Sequence, residues 1–82
     1  MADQTDPNTA LGDAIRLLRG STTQEELGLR IGQPQSWISR IESGEVDVKW
    51  STVWRLAEGL EVSVGELVAA VETAQMNRKP PG

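Results

Sequence analysis

The 82-residue sequence predicts an all-α fold, a compact bundle of five short helices, and three observations carry that expectation. Apolar residues recur at i, i+3 and i+4 in five separate stretches, the mark of helices with one buried face. Two capping boxes, Thr23 with Glu26 and Ser63 with Glu66, mark places where helices start. No stretch reads as a strand.

Helix one carries Leu11, Ala14, Ile15 and Leu18 on one stripe. In helix two, Thr23 can cap the first backbone N–H groups while Glu26 reaches back to it, and Leu27 and Ile31 form the apolar stripe. Gly28 has no side chain where a neighbour must cross closely, and Gly32 can take the positive φ that ends a helix tightly. Pro34 suits the first turn of helix three, since its fixed φ and missing N–H are harmless there. Gln33 is therefore expected at the cap, with the helix running from Pro34 to Ser43 and Ile38 and Ile41 facing inward. Two short helices joined in this way form a helix-turn-helix. Val53, Leu56, Ala57 and Leu60 stripe helix four, for which Ser51 is a plausible cap, and Val64, Leu67, Val68 and Val71 stripe helix five. Residues 1–8 and 74–82 read as flexible ends around one domain spanning 9–73.

At 100° per residue, Ser36, Ser39, Arg40 and Ser43 point away from Ile38 and Ile41, with Gln35 at the leading edge. Such a face suits any solvated helix. Glutamine and arginine, however, carry the forked donors and acceptors that match adenine and guanine edges in the major groove, and serine can bond bases or phosphates. They stand on the helix expected to protrude.

Leu11 to Arg19, then TQEEL, then IGQPQSWISRIESG, then STVWRLAEGLEVSVGELV, resemble the Xre-type helix-turn-helix family of phage repressors, Cro-like proteins and related antitoxins, over about residues 10 to 72. The most specific part is Ser36-x-Ile38-Ser39-Arg40-Ile41-Glu42-x-Gly44. The resemblance implies a lambda-repressor-like five-helix bundle with helix three in the DNA major groove, and a dimer straddling two half-sites one helical turn apart. It further implies that Arg19, ending helix one, pairs with Glu42. Glu42 falls about 70° from the core direction of its helix, where an unpaired carboxylate would be costly. The short link Gly20-Ser21-Thr22 and Gln33 after the turn glycine depart from the commonest family pattern, and neither is expected to break the fold.

Composition narrows the function. The chain holds no cysteine and no histidine, which removes disulfides, thiolate chemistry and the usual nitrogen and sulfur ligands for zinc. No acid–base or nucleophile constellation and no glycine-rich phosphate loop is readable, so neither an enzyme nor a cofactor is expected. No leader or long apolar run suggests secretion or membrane insertion; a cytoplasmic protein at the nucleoid of a bacterium, or of phage origin, is the expectation.

Charge opposes the DNA reading, because a formal net charge of −4 repels a polyanion. Its distribution softens the objection. Four arginines match four acidic residues between Leu11 and Gly44, while Glu58, Glu61, Glu66 and Glu72 lie in the later helices. Neutral groups can also anchor phosphates: Thr23, Gln24, the adjoining N–H groups, Ser36 and Ser39. In the loop after helix three, Glu45 and Asp47 leave Lys49 as the single positive charge before Ser51.

Three tryptophans stand in a chain without Phe or Tyr. Trp50 occupies a family leucine position and is expected in the core, Trp37 at its flank, and Trp54 on the outside as a dimer-contact candidate.

The sequence thus points to a sequence-specific double-stranded DNA-binding transcriptional regulator, a dimeric and repressor-like one. Gln35, Ser36 and Arg40 are the expected base readers, with Ser39 and Ser43 behind them, and Thr23, Gln24 and Lys49 are the expected phosphate anchors. The competing reading is an acidic module of the same fold that binds a protein partner, as an antitoxin or anti-repressor does.

Overall fold

The computed structural model describes residues 6–78. Five helices follow in order: α1 (Pro7–Arg19), α2 (Gln24–Ile31), α3 (Gln35–Glu42), α4 (Trp50–Leu60) and α5 (Val64–Arg78). No strand occurs among the described residues. Every helix sends at least one side chain to full burial: Ile15 from α1, Leu27 from α2, Ile38 and Ile41 from α3, Leu56 from α4 and Leu67 from α5. The apolar stripes therefore converge on a single core, with α5 lying mainly along α1 and α2 packed on α3 and α4.

The helix ends follow local chemistry. α1 begins at Pro7, inside the stretch read from sequence as a flexible end: the Asp6 carboxylate accepts from the Asn8 N–H at 2.8 Å, and Pro7 takes the first helical position. The extra turn buries Ala10 completely. At the other end α5 continues to Arg78, past the expected limit of the folded region; residues 1–5 and 79–82 lie outside the described residues. The α2 capping box forms as expected, with the Glu26 N–H on Thr23 Oγ1 and the Thr23 N–H on Glu26 Oε1, each at 3.0 Å. The Ser63–Glu66 box forms at α5 with bonds of 3.0 and 3.3 Å.

Gly32 ends α2 with φ 72°, and the N–H groups of Gly32 and Gln33 both turn back to the Gly28 carbonyl. A Cβ on Gly28 would overlap the Gln33 carbonyl oxygen, so the turn folds flat onto the glycine. Pro34 is itself extended, with φ −71° and ψ 156°, so it does not form the first helical residue. The cap of α3 is consequently Pro34, not Gln33, and the helix spans Gln35–Glu42 instead of Pro34–Ser43. Pro34 holds the capping geometry without a side-chain hydrogen bond, while its carbonyl accepts from the Trp37 N–H at 3.0 Å.

Two further expectations fail at α4. Ser51 is not its cap; Lys49 holds that geometry and Ser51 lies within the first turn. Trp50 is not core but 61% exposed. Val46 and Val48, from the preceding loop, pack against the core instead. Trp37 flanks the core as expected, and Trp54 is 56% exposed.

A buried carboxylate ties three helices together. Glu42 is 3% exposed and receives Arg19 Nε on Oε2 at 2.7 Å and Arg19 Nη2 on Oε1 at 3.0 Å, a two-pronged ion pair between α1 and α3. Gln24 Nε2, at the start of α2, adds a bond to Oε1 at 2.9 Å. Arg19 Nη1 also donates to the Thr22 carbonyl at 2.8 Å, which fixes the short α1–α2 link. Arg16 contributes less: its Nε is 3.6 Å from Oε1, and its side chain is 57% exposed. The helices meet closely enough for this because Gly12 faces α3. A Cβ there would overlap the Glu42 carbonyl oxygen and stand 2.7 Å from that of Ile41.

Arg19→Ala leaves the Glu42 carboxylate buried without its main partner and should cost about 3 kcal/mol, on the order of 15 °C in Tm. Arg16→Ala, which removes an exposed and longer contact, should cost less than about 1 kcal/mol. Equal melting temperatures for the two variants would refute the pair's role. Gly12→Ala should cost about 2 kcal/mol or more, because the obstacle is backbone that cannot rotate aside; a neutral result in denaturant titration would show that α1 and α3 have room to separate.

Candidate nucleic-acid interface

The outward face of α3 presents Gln35, Ser36 and Arg40 to solvent, with Ser39 half-buried between them and Ser43 exposed at the C-terminal cap. This is the face opposite Ile38 and Ile41, as the helical period requires. At one end of it stands the N-terminus of α2. There the N–H groups of Gln24 and Glu25 precede the first intrahelical bond, which Leu27 makes to the Thr23 carbonyl at 3.0 Å, and they add the positive end of a helix dipole.

Gln24 and Gln35 meet across the turn. Gln35 Nε2 donates to Gln24 Oε1, while Gln24 Nε2 donates to Glu42. A polar chain thus runs from the buried Arg19–Glu42 pair through Gln24 to the tip of α3. It holds one expected base reader and one expected phosphate anchor in a fixed relation. Both amides keep further donor or acceptor capacity for a ligand. Thr23 stands exposed beside them, its hydroxyl and N–H engaged with Glu26 in the capping box.

The C-terminal end of the face is organised differently. Glu45 Oε1 is 3.8 Å from Arg40 Nε, and Glu45 Oε2 accepts from the Ser43 hydroxyl at 2.9 Å. Two expected base readers therefore share one acidic neighbour, which the sequence reading counted only as charge in the loop. Asp47, the second acid of that loop, accepts from Asn8 Nδ2 at 2.9 Å and so leans toward the start of α1. Lys49 is exposed at the cap of α4, separated from α3 by the loop. The expected residues thus form two groups, Thr23, Gln24, Gln35 and Ser36 at one end and Arg40 and Ser43 at the other. The link through Glu42 and the hold of Glu45 are contacts that only the folded chain reveals, although all of their residue types lie inside the motif or just after it.

Among the described residues, no helix is long and apolar enough to cross a membrane. A profile of the helix-turn-helix domain family matches residues 10–71. No curated protein sequence gives a significant match. Among solved structures, the chain is similar to the clp gene regulator ClgR from Corynebacterium glutamicum at a TM-score of 0.84 and 22% identity, covering 92% of this chain and 99% of that one. A second ClgR structure gives 0.85 and 21% over 92% and 82%. The restriction-modification controller protein C.AhdI from Aeromonas hydrophila gives 0.69 and 27% over 73% and 90%. The ClgR likeness establishes the fold, and the profile match spans most of the chain, including the stretch Ser36–Gly44 on and just after α3. This chain therefore belongs to the helix-turn-helix domain family.

Proposed function

We propose that the chain is a sequence-specific, dimeric, repressor-like regulator that lays α3 in the major groove of double-stranded DNA. The observation that carries this reading is the linked pair Gln24–Gln35. The Gln35 amide stands at the tip of α3 and is bonded to Gln24 at the N-terminus of α2, an arrangement that supports base reading by Gln35 beside a phosphate held at the α2 N–H groups. Gln35, Ser36 and Arg40 read base edges, with Ser39 and Ser43 completing the face; Gln24, Thr23 and Lys49 position the backbone. Neutral anchors suit a chain with a net charge of −4, and they predict a shallower salt dependence than a basic homologue shows. Repression would follow from occupying a promoter.

The dimer is assigned to the α4 side, where Trp50 and Trp54 lie one turn apart and both are more than half exposed. Tryptophan is enriched at interface hot spots, which makes Trp54 the first residue to test. The same exposure supports a second reading, in which the chain binds a protein partner through these rings and not DNA.

Selection from a random duplex library at low and moderate salt separates the two. A two-fold-symmetric motif with half-sites about one turn apart is expected; recovery of no motif at either salt would overturn the DNA reading in favour of the protein partner. With the selected site in hand, Arg40→Ala should weaken specific binding by about 10- to 100-fold, equivalent to about 1–3 kcal/mol, and leave scrambled DNA little affected. Gln24→Ala should weaken both. An unchanged ratio of specific to non-specific affinity in Arg40→Ala would remove Arg40 from the base readers.

A further inference from the structure

Glu45 meets the C-terminal end of α3 through both its backbone and its side chain. Its N–H donates to the Arg40 carbonyl at 3.0 Å, its Oε2 takes the Ser43 hydroxyl, and its Oε1 stands 3.8 Å from Arg40 Nε. Helix electrostatics supply no reason for it there, since a carboxylate beside the negative end of a helix is disfavoured. The Arg40–Glu45 contact is also loose and wet, with side chains 59% and 61% exposed, so it is easily exchanged for a better partner.

We propose that Glu45 is a specificity-determining residue of this interface: it occupies Arg40 until a guanine edge displaces it. The inference rests on the DNA-binding reading and deepens it. A guanine presents O6 and N7 together and can satisfy the guanidinium with two directed bonds, replacing what Glu45 supplied. Random-sequence DNA offers Arg40 mainly phosphate oxygens. The freed carboxylate repels the polyanion in either complex, but the salt-screened phosphate contacts of random DNA offset that cost less than the two directed guanine bonds do, so loose, sequence-independent binding is opposed more than operator binding. Glu45 thus acts by exclusion, lowering the affinity for wrong DNA.

The test compares wild type, Glu45→Gln and Glu72→Gln on the selected duplex and on a scrambled duplex, at two salt concentrations. Glu45→Gln keeps an acceptor for Ser43 and removes only the charge. Glu72→Gln makes the same change in net charge on α5, which packs against α1 and α4. Glu45→Gln should tighten scrambled-duplex binding by about 3- to 10-fold and operator binding by less than about 2-fold, so that the specificity ratio falls. Glu72→Gln should change both by less than about 2-fold. In an Arg40→Ala background, the gain from Glu45→Gln on scrambled DNA should shrink, because there is no arginine left to release. Equal gains from Glu45→Gln and Glu72→Gln, or an undiminished gain without Arg40, would overturn the proposal while leaving the DNA reading intact. Failure of all the proteins to bind either duplex, even at low salt, would overturn both.

Discussion

The carboxylate of Glu42 is the constraint around which the remainder of this small bundle is arranged. Buried alone, it would be among the most destabilising groups in the chain, yet at the junction of three helices it collects donors from each side. Arg19 supplies two, Gln24 a third, and Arg16 approaches from α1 at longer range. The donors come from α1 and from the start of α2, so satisfying one charge on α3 sets the relative positions of the three helices. Gly12 makes the arrangement possible by letting the α1 backbone press against the carbonyls that end α3.

The same carboxylate reaches the surface. Through Gln24 it restrains Gln35, so the ordering of the core extends to the side chain proposed to meet a base edge. A site supported from beneath in this way loses little conformational entropy when a ligand arrives. The opposite end of α3 has no such support. Arg40 is held only from the loop, by an exposed acid, and that difference divides the face into a preorganised half and an exchangeable half.

Net acidity is compatible with the proposed DNA binding because charge matters by position. Glu42 is spent inside the fold, Asp47 bonds to Asn8, and Glu26 and Glu66 are consumed by helix caps. What remains near α3 is Glu45, a local term and not a bulk one. A count of acidic and basic residues cannot make that distinction, since it ignores which charges already have partners.

Short-range physics was readable from the chain alone. The apolar period set the five helices and the six largest fully buried side chains, both capping boxes formed as the residue spacing required, and Gly32 took the positive φ its place demanded. The family motif also anticipated the Arg19–Glu42 pair. Even local reading failed where signals were overlooked, as with Asp6-Pro7 at the start of α1. It failed too at two helix starts: the cap of α3 fell on Pro34 and not on Gln33, and Trp50 stayed exposed while Val46 and Val48 of the preceding loop packed on the core. The tertiary structure alone decided that Gln24 bridges Glu42 and Gln35, 18 and 11 residues away in sequence, and that Arg40 shares an acid with Ser43. Periodicity and caps act within one helical turn and are therefore written in consecutive residues. Which polar groups meet across helices depends on crossing geometry, which is settled only when the whole core packs.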